Sequence, residues 1–224
     1  MNKTRCKIWV PAAVAFLAAT PIFAEGLAND TRELCASTSQ FDMAFKKRLV
    51  ELGWSPITPD ETAQFSRYFL DGVIIATADA NSRIDWSAAT KQGREFTDAA
   101  LKAWENGEKV SLFINGDEVH STLMAMQFPD EHYNVLRCIY SGAVDASTTD
   151  LLDSILALDK RVGRTWINSE IDSILMESVK PSENDPNKRL QTSTVVSRYK
   201  DTPAGFDREP LAPLGFSVIA ATEM

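Results

Sequence analysis

Glycine, histidine and cysteine are scarce in this chain, and each scarcity closes off some chemistry. The ten glycines are scattered, with no two closer than nine positions. A phosphate-cradling loop, a dinucleotide fingerprint and a G-x-S-x-G nucleophile elbow each need glycines within a few residues of one another, so that backbone can turn sharply against a ligand. None of the three can exist here. There are two histidines, His120 and His132, and no H-E-x-x-H. The three cysteines form no C-x-x-C and no cysteine–histidine cluster with zinc spacing. No pattern in the sequence asks for a metal or a cofactor.

Long apolar runs are also missing beyond the first 24 residues. That first stretch has its own logic. Lys3, Arg5 and Lys7 make a positive head, Ile8 to Phe23 an apolar run, and Ala24 a small residue at the end. This is the layout of a secretory signal peptide, cleaved to leave Glu25 first. The run is short of the roughly 20 residues that spanning requires, and Pro11 and Pro21 interrupt it. No cysteine at the cut offers a lipid anchor. The expectation is residues 1–24 as signal peptide and 25–224 as one soluble α+β domain in the periplasm or an equivalent secreted space, with no membrane span after cleavage.

Two consequences follow from export. Three positive charges leave with the leader, so the formal net charge of −8 falls by three more units. An acidic chain repels nucleic acid and anionic surfaces, and no nucleic-acid partner is expected. Cys6 leaves as well. Cys35 and Cys138 remain, and in an oxidising compartment two cysteines are most simply a disulfide.

The N-terminal half, residues 25–108, reads as helical. Asp30 and Glu33 fit a capping box, and Leu34, Phe41, Phe45, Leu49 and Leu52 line one face of a single helix that Gly53 ends. Thr58-Pro59-Asp60-Glu61 starts a second helix with Phe65, Tyr68, Phe69 and Val73 on its apolar side; Asp71-Gly72 leaves its end unmarked. A third runs from about Trp86 to Asn106. From Lys109 onward the pattern becomes extended. Val110–Ile114, the Asn115-Gly116 turn, Val119–Phe128 and Tyr133–Tyr140 make three antiparallel strands. Ser147 caps another helix that Gly163 stops. Ile171–Val179 and Leu190–Tyr199 form a second hairpin over a polar linker, Pro181–Lys188, and Phe216–Thr222 a closing strand. The fold class expected is α+β, with N-terminal helices on a mostly antiparallel sheet of about six strands. A helix followed by three strands occurs twice. Leu123 and Ala125 face one way and Met124 and Met126 the other, which predicts that both sheet faces are partly covered, by helices on one side and loops on the other.

Few residues stand out as a site. His120 and His132 bracket a strand, which holds them more than about 20 Å apart; they read as turn-proximal surface groups. Trp54, Trp86, Trp104 and Trp166 could build a ligand platform, but Trp54 and Trp104 sit where core residues sit. Arg137 lies inside a strand between Leu136 and Cys138. It is either paired across the sheet, with Glu118 or Glu177, or free to bind an anion. The segment from Lys200 to Gly215 is long for a loop, and such loops are often functional. Its charged trio Asp207, Arg208 and Glu209 is the candidate binding contact. No residues announce themselves as catalytic. The reading favoured is an exported, non-catalytic binding or accessory module with a protein or small-molecule partner. The alternatives are a carboxylate-based hydrolase of cell-envelope material and a structural protein of envelope assembly or stress.

Overall fold

A computed structural model describes residues 26–77, 84–116, 121–143, 146–157, 164–167, 170–182, 185–200, 202 and 209–224. Helices α1 (Leu27–Ser37), α2 (Met43–Glu51), α3 (Thr62–Thr77), α4 (Trp86–Glu105) and α5 (Ala146–Ala157) accompany strands β1 (Ser55–Pro56), β2 (Val110–Asn115), β3 (Ser121–Pro129), β4 (Tyr133–Gly142), β5 (Arg164–Ile167), β6 (Ile171–Pro181), β7 (Arg189–Tyr199) and β8 (Leu214–Glu223). The α+β class holds. The strands form one antiparallel sheet in the order β1-β2-β3-β4-β8-β7-β6-β5.

That sheet has eight strands rather than about six. The two-residue β1 and four-residue β5, both at the edges, carry too few residues to show a period of two. With β5 present, α5 is followed by four strands, so the second helix-plus-three-strand unit does not stand as read. The last strand is not at the periphery either. β8 runs between β4 and β7 and pairs along its length with both, so it is the strand that joins the two meanders into one sheet.

Both faces of the sheet are covered, and by helices on each. On one face, Phe45 and Leu49 of α2, Leu34 and Cys35 of α1, Leu152 of α5 and Trp54 pack with Leu123, Leu136, Tyr140 and Phe216. On the other, Phe65, Phe69 and Val73 of α3 and Ala100 of α4 pack with Leu112, Met124 and Ile139. Leu123 and Met124 thus serve opposite layers, which is why strand alternation was imperfect. Each large side chain so buried contributes roughly 1.5–3 kcal/mol.

The first helix expected is two. Thr38 is extended (φ −146°, ψ 153°) and Asp42 starts α2 by accepting the Phe45 N–H at 2.9 Å. The break is held by a distant side chain. Gln127 of β3 accepts the Phe41 N–H at 2.8 Å and donates to the carbonyls of Ser39 and Val135, each at 3.1 Å. Asp30 lies in the first turn of α1 and Gly26 takes the cap position, without a side-chain capping bond. The Thr58-Pro59 start signal opens a short 3₁₀ helix, Pro59–Glu61, that leads into α3, and Thr58 and Glu61 form a capping box there.

α3 does not end near Gly72; it continues to Thr77. Gly72 is there for closeness. A Cβ at Gly72 would lie 2.2 Å from the Ser141 Cβ, and one at Gly215 would lie 2.5 Å from the Gly72 carbonyl oxygen. Three small residues let α3 touch the sheet where β4 meets β8. α5 begins at Ala146, one residue before Ser147; Gly163 lies outside the described residues.

Candidate functional site

Cys35 of α1 and Cys138 of β4 are disulfide-bonded, with Cα atoms 6.2 Å apart and 103 residues between them in sequence. Both are fully buried. The bridge pins α1 onto the sheet and leaves no thiol there for chemistry.

The other singled-out residues do not converge. Asp207, Arg208 and His120 lie outside the described residues. Glu209 is exposed. Two residues on, the chain is clamped: the Leu211 N–H donates to the buried Asp71 carboxylate at 2.7 Å and the Tyr199 N–H to the Pro213 carbonyl at 2.9 Å. His132 is exposed in the β3–β4 turn, its backbone N–H on Asp130. Trp54 and Trp86 are buried, with indole N–H groups on Thr31 (2.9 Å) and Glu170 (2.8 Å). Trp104, near the end of α4, is partly buried and packs against the core. Trp166 falls in β5. No aromatic platform arises from Trp54, Trp86 and Trp104.

Arg137 does not pair across the sheet with Glu177. Its β4 position faces α3 and α4, the side opposite Leu136 and Cys138. Successive pairings place it in one row with Met126 of β3, Ile219 of β8, Ser193 of β7 and Glu177 of β6. Glu177 therefore shares the face but stands three strands away, about 14 Å at ordinary strand spacing. It is out of ion-pair reach, and Glu118 lies outside the described residues. Arg137 Nε is buried and has no hydrogen-bond partner. The guanidinium sits 5.5 Å from the Phe96 ring of α4. Burial pushes its pKa below the ordinary arginine value, and it still carries its charge at neutral pH. The result is a partly buried cation beside Phe96, Met126 and Ile219, its Nε without a partner and no anion among the described residues beside it.

The surface next to Arg137 is open. The neighbouring row on the same face runs Phe128, Val135, Ala221, Gln191, Val179. Here α3 and α4 no longer cover the sheet. Phe128 is 38% exposed, Ile219 40% and Val179 60%. A sheet face with its edge-row apolar groups in water, and a lone cation at its inner margin, is an unfinished layer. It lies toward the far end of β8 from the predicted loop; from Leu214 to Ile219 is roughly 16 Å along the strand.

Two surface grooves lie elsewhere. One, of about 580 Å³, runs between α1, α2 and Lys180 and is lined by Asp30, Glu33 and Glu51 together with Arg32 and Arg48. Its acids stand beside cations: Glu33 pairs with Arg32 at 3.3 Å and Glu51 with Lys47 at 3.6 Å. The other, of about 480 Å³, lies between Phe41, Lys46, Lys109 and Gln127. A third polar cluster is already satisfied. Buried Asp172 of β6 accepts from Arg198 (3.2 Å) and Lys200 (3.1 Å) of the β7 end, and Arg198 reaches Asp153 of α5 at 2.8 Å. It ties α5 to the sheet. Among the described residues no three His, Cys, Asp or Glu side chains converge as a metal site would require, and no helix is long and apolar enough to cross a membrane. No protein-family model, curated protein or solved structure matches this chain.

The sequence flagged Arg137 but not the rows around it. The signal was present as a charge inside an apolar strand. Its meaning depended on which residues of β8, β7 and β6 came to lie beside it.

Proposed function

We propose that this is an exported binding module, without catalysis of its own, that engages a partner through the open half of the sheet face carrying Phe128, Val135, Ile219 and Val179. The observation that carries the reading is Arg137. Its Nε is buried without a hydrogen-bond partner, and no carboxylate among the described residues pairs with it; a buried unsatisfied donor costs the fold about 1–3 kcal/mol. A partner that supplies an acceptor and covers the apolar rows offsets that cost. Exposed apolar groups gathered on one face point the same way. Export is supported by the positive-head, apolar-run layout of residues 1–24 and by the Cys35–Cys138 bridge, which suits an oxidising space. Asp207, Arg208 and Glu209 are the secondary contact of the same proposal.

The test is site-specific photocrosslinking in the native envelope. A photoreactive amino acid replacing Ile219 is expected to give discrete adducts. One replacing Val50, an exposed apolar residue of α2, is expected to give none. Equal labelling at the two positions removes the face from consideration. Carboxylate-dependent hydrolysis of envelope material, abolished by Glu33→Gln or Glu51→Gln in the larger groove, replaces this reading with the enzymatic one.

A further inference from the structure

Resting on the open face as the binding surface, we infer that the partner is a protein that lays an amphipathic helix along the sheet beside α4, with one of its carboxylates against Arg137. Three features select that occupant. First, β4, β8 and β7 are interior strands whose backbone groups are spent on their neighbours. A partner over Arg137 and Ile219 meets side chains only, so it does not bind as an added strand.

Second, the layer height is set. α3 and α4 occupy this face as a helical layer, and a helix on a sheet stands about 10 Å above it. The open rows continue sideways from α4 at the same level, so a further helix completes the layer without rearrangement. Its apolar stripe would rest on Ile219, Val135, Ala221 and Phe128, with Val179 at the outer margin.

Third, the charge is specified. Arg137 sits among Phe96, Met126 and Ile219 with Nε unsatisfied. A planar monoanionic carboxylate matches one guanidinium in a fork. A phosphate brings a second charge that this apolar ring offers nothing to neutralise, and its desolvation is correspondingly more costly. Gln191 and Ser193, toward β6, are polar and suit the rim of such a contact. The chain as a whole is acidic (formal net charge −8), so an acidic partner is not steered from a distance. The carboxylate is recognised only on contact, which predicts weak salt dependence.

The test uses the full oxidised chain and a phage-displayed library in which one helix surface of a stable helical bundle is randomised. Selected binders are expected to carry an apolar stripe with Asp or Glu at one fixed position, and to lose binding to an Ile219→Asp variant. Changing that acid to its amide, or Arg137→Gln in the chain, is expected to weaken binding at least roughly tenfold. The two changes together are expected to weaken it no further than either alone. Arg137→Lys keeps the charge without the fork and is expected to fall between. Binders that map to the face but carry no acid, or that hold Arg137→Gln as tightly, overturn the carboxylate while leaving the face as a binding surface. Binders indifferent to Ile219→Asp overturn the face itself. Self-association of the chain that Ile219→Asp abolishes overturns the partner helix in favour of a second copy.

Discussion

Arg137 and Glu177 lie in one row on one face of the sheet and do not pair, because β8 and β7 stand between their strands. The Arg137 Nε, buried without a hydrogen-bond partner, is therefore a cost to the fold. Replacing it with methionine keeps the length and the contact with Phe96 and removes the charge. Arg137→Met is expected to stabilise the chain by about 1 kcal/mol in urea denaturation, relief of desolvation outweighing the lost cation–π contact. The gain is expected to be flat with pH. Burial lowers the pKa, which disfavours the charged form in the folded state, so stability rises with pH only near that pKa, far above neutrality. Glu177→Gln is expected to change stability by less than about 0.5 kcal/mol.

The Cys35–Cys138 bridge closes a loop of 103 residues. Converting both to alanine is expected to cost about 3–5 kcal/mol, from lost restriction of the unfolded chain and from two emptied core positions. Equilibrium denaturation of the variant against the oxidised protein measures it. Thiol titration of the native oxidised chain is expected to find neither sulfur reactive.

The Ser141 hydroxyl enters the backbone ladder of α3, donating to the Tyr68 carbonyl and accepting the Gly72 N–H at 2.9 Å. Ser141→Ala removes the hydroxyl that bonds both helix groups and is expected to cost about 1 kcal/mol. Gly72→Ala is expected to cost at least as much, since its Cβ meets Ser141 and cannot be accommodated without moving α3. Thermal melts of the two variants test the order.

Glu61 accepts from both the backbone N–H and the hydroxyl of Thr58, at 2.7 and 2.8 Å, and these bonds hold its carboxyl below the usual glutamate range. The sign follows from the depressed value. The stabilisation is present above the unfolded carboxyl's pKa, near 4.3, and is lost as pH falls through the folded one. Carboxyl NMR titration is expected to show Glu61 protonating at lower pH than a Thr58→Ala variant does. In Glu61→Gln the 3₁₀ turn Pro59–Glu61 ahead of α3 is expected to fray at neutral pH, seen as faster amide exchange at Thr58, Asp60 and Glu61.

Local signals were legible wherever a short stretch of chain satisfies itself. The Thr58-Pro59 start signal, the end of α4 ahead of Gly107 (φ 72°), the β2–β3–β4 meander and the β6–β7 hairpin are such cases. The gap between α1 and α2 was not legible, because the partner for its backbone is Gln127, more than eighty residues away. The end of α3 was not legible for a similar reason: Gly72 serves the close approach of Ser141 rather than a helix stop.

The sequence by itself determined the α+β class, the acidic charge, the cysteine pair and the exclusion of glycine-loop chemistries, since these depend on composition and on contacts a few residues apart. Tertiary structure alone decided that β8 lies at the centre of the sheet, that helices pack on both faces, and that Arg137 stands beside an open apolar row with no acid paired to it among the described residues. A strand's neighbours are chosen by the burial of both faces at once, and no local pattern encodes which distant strand will come to lie alongside.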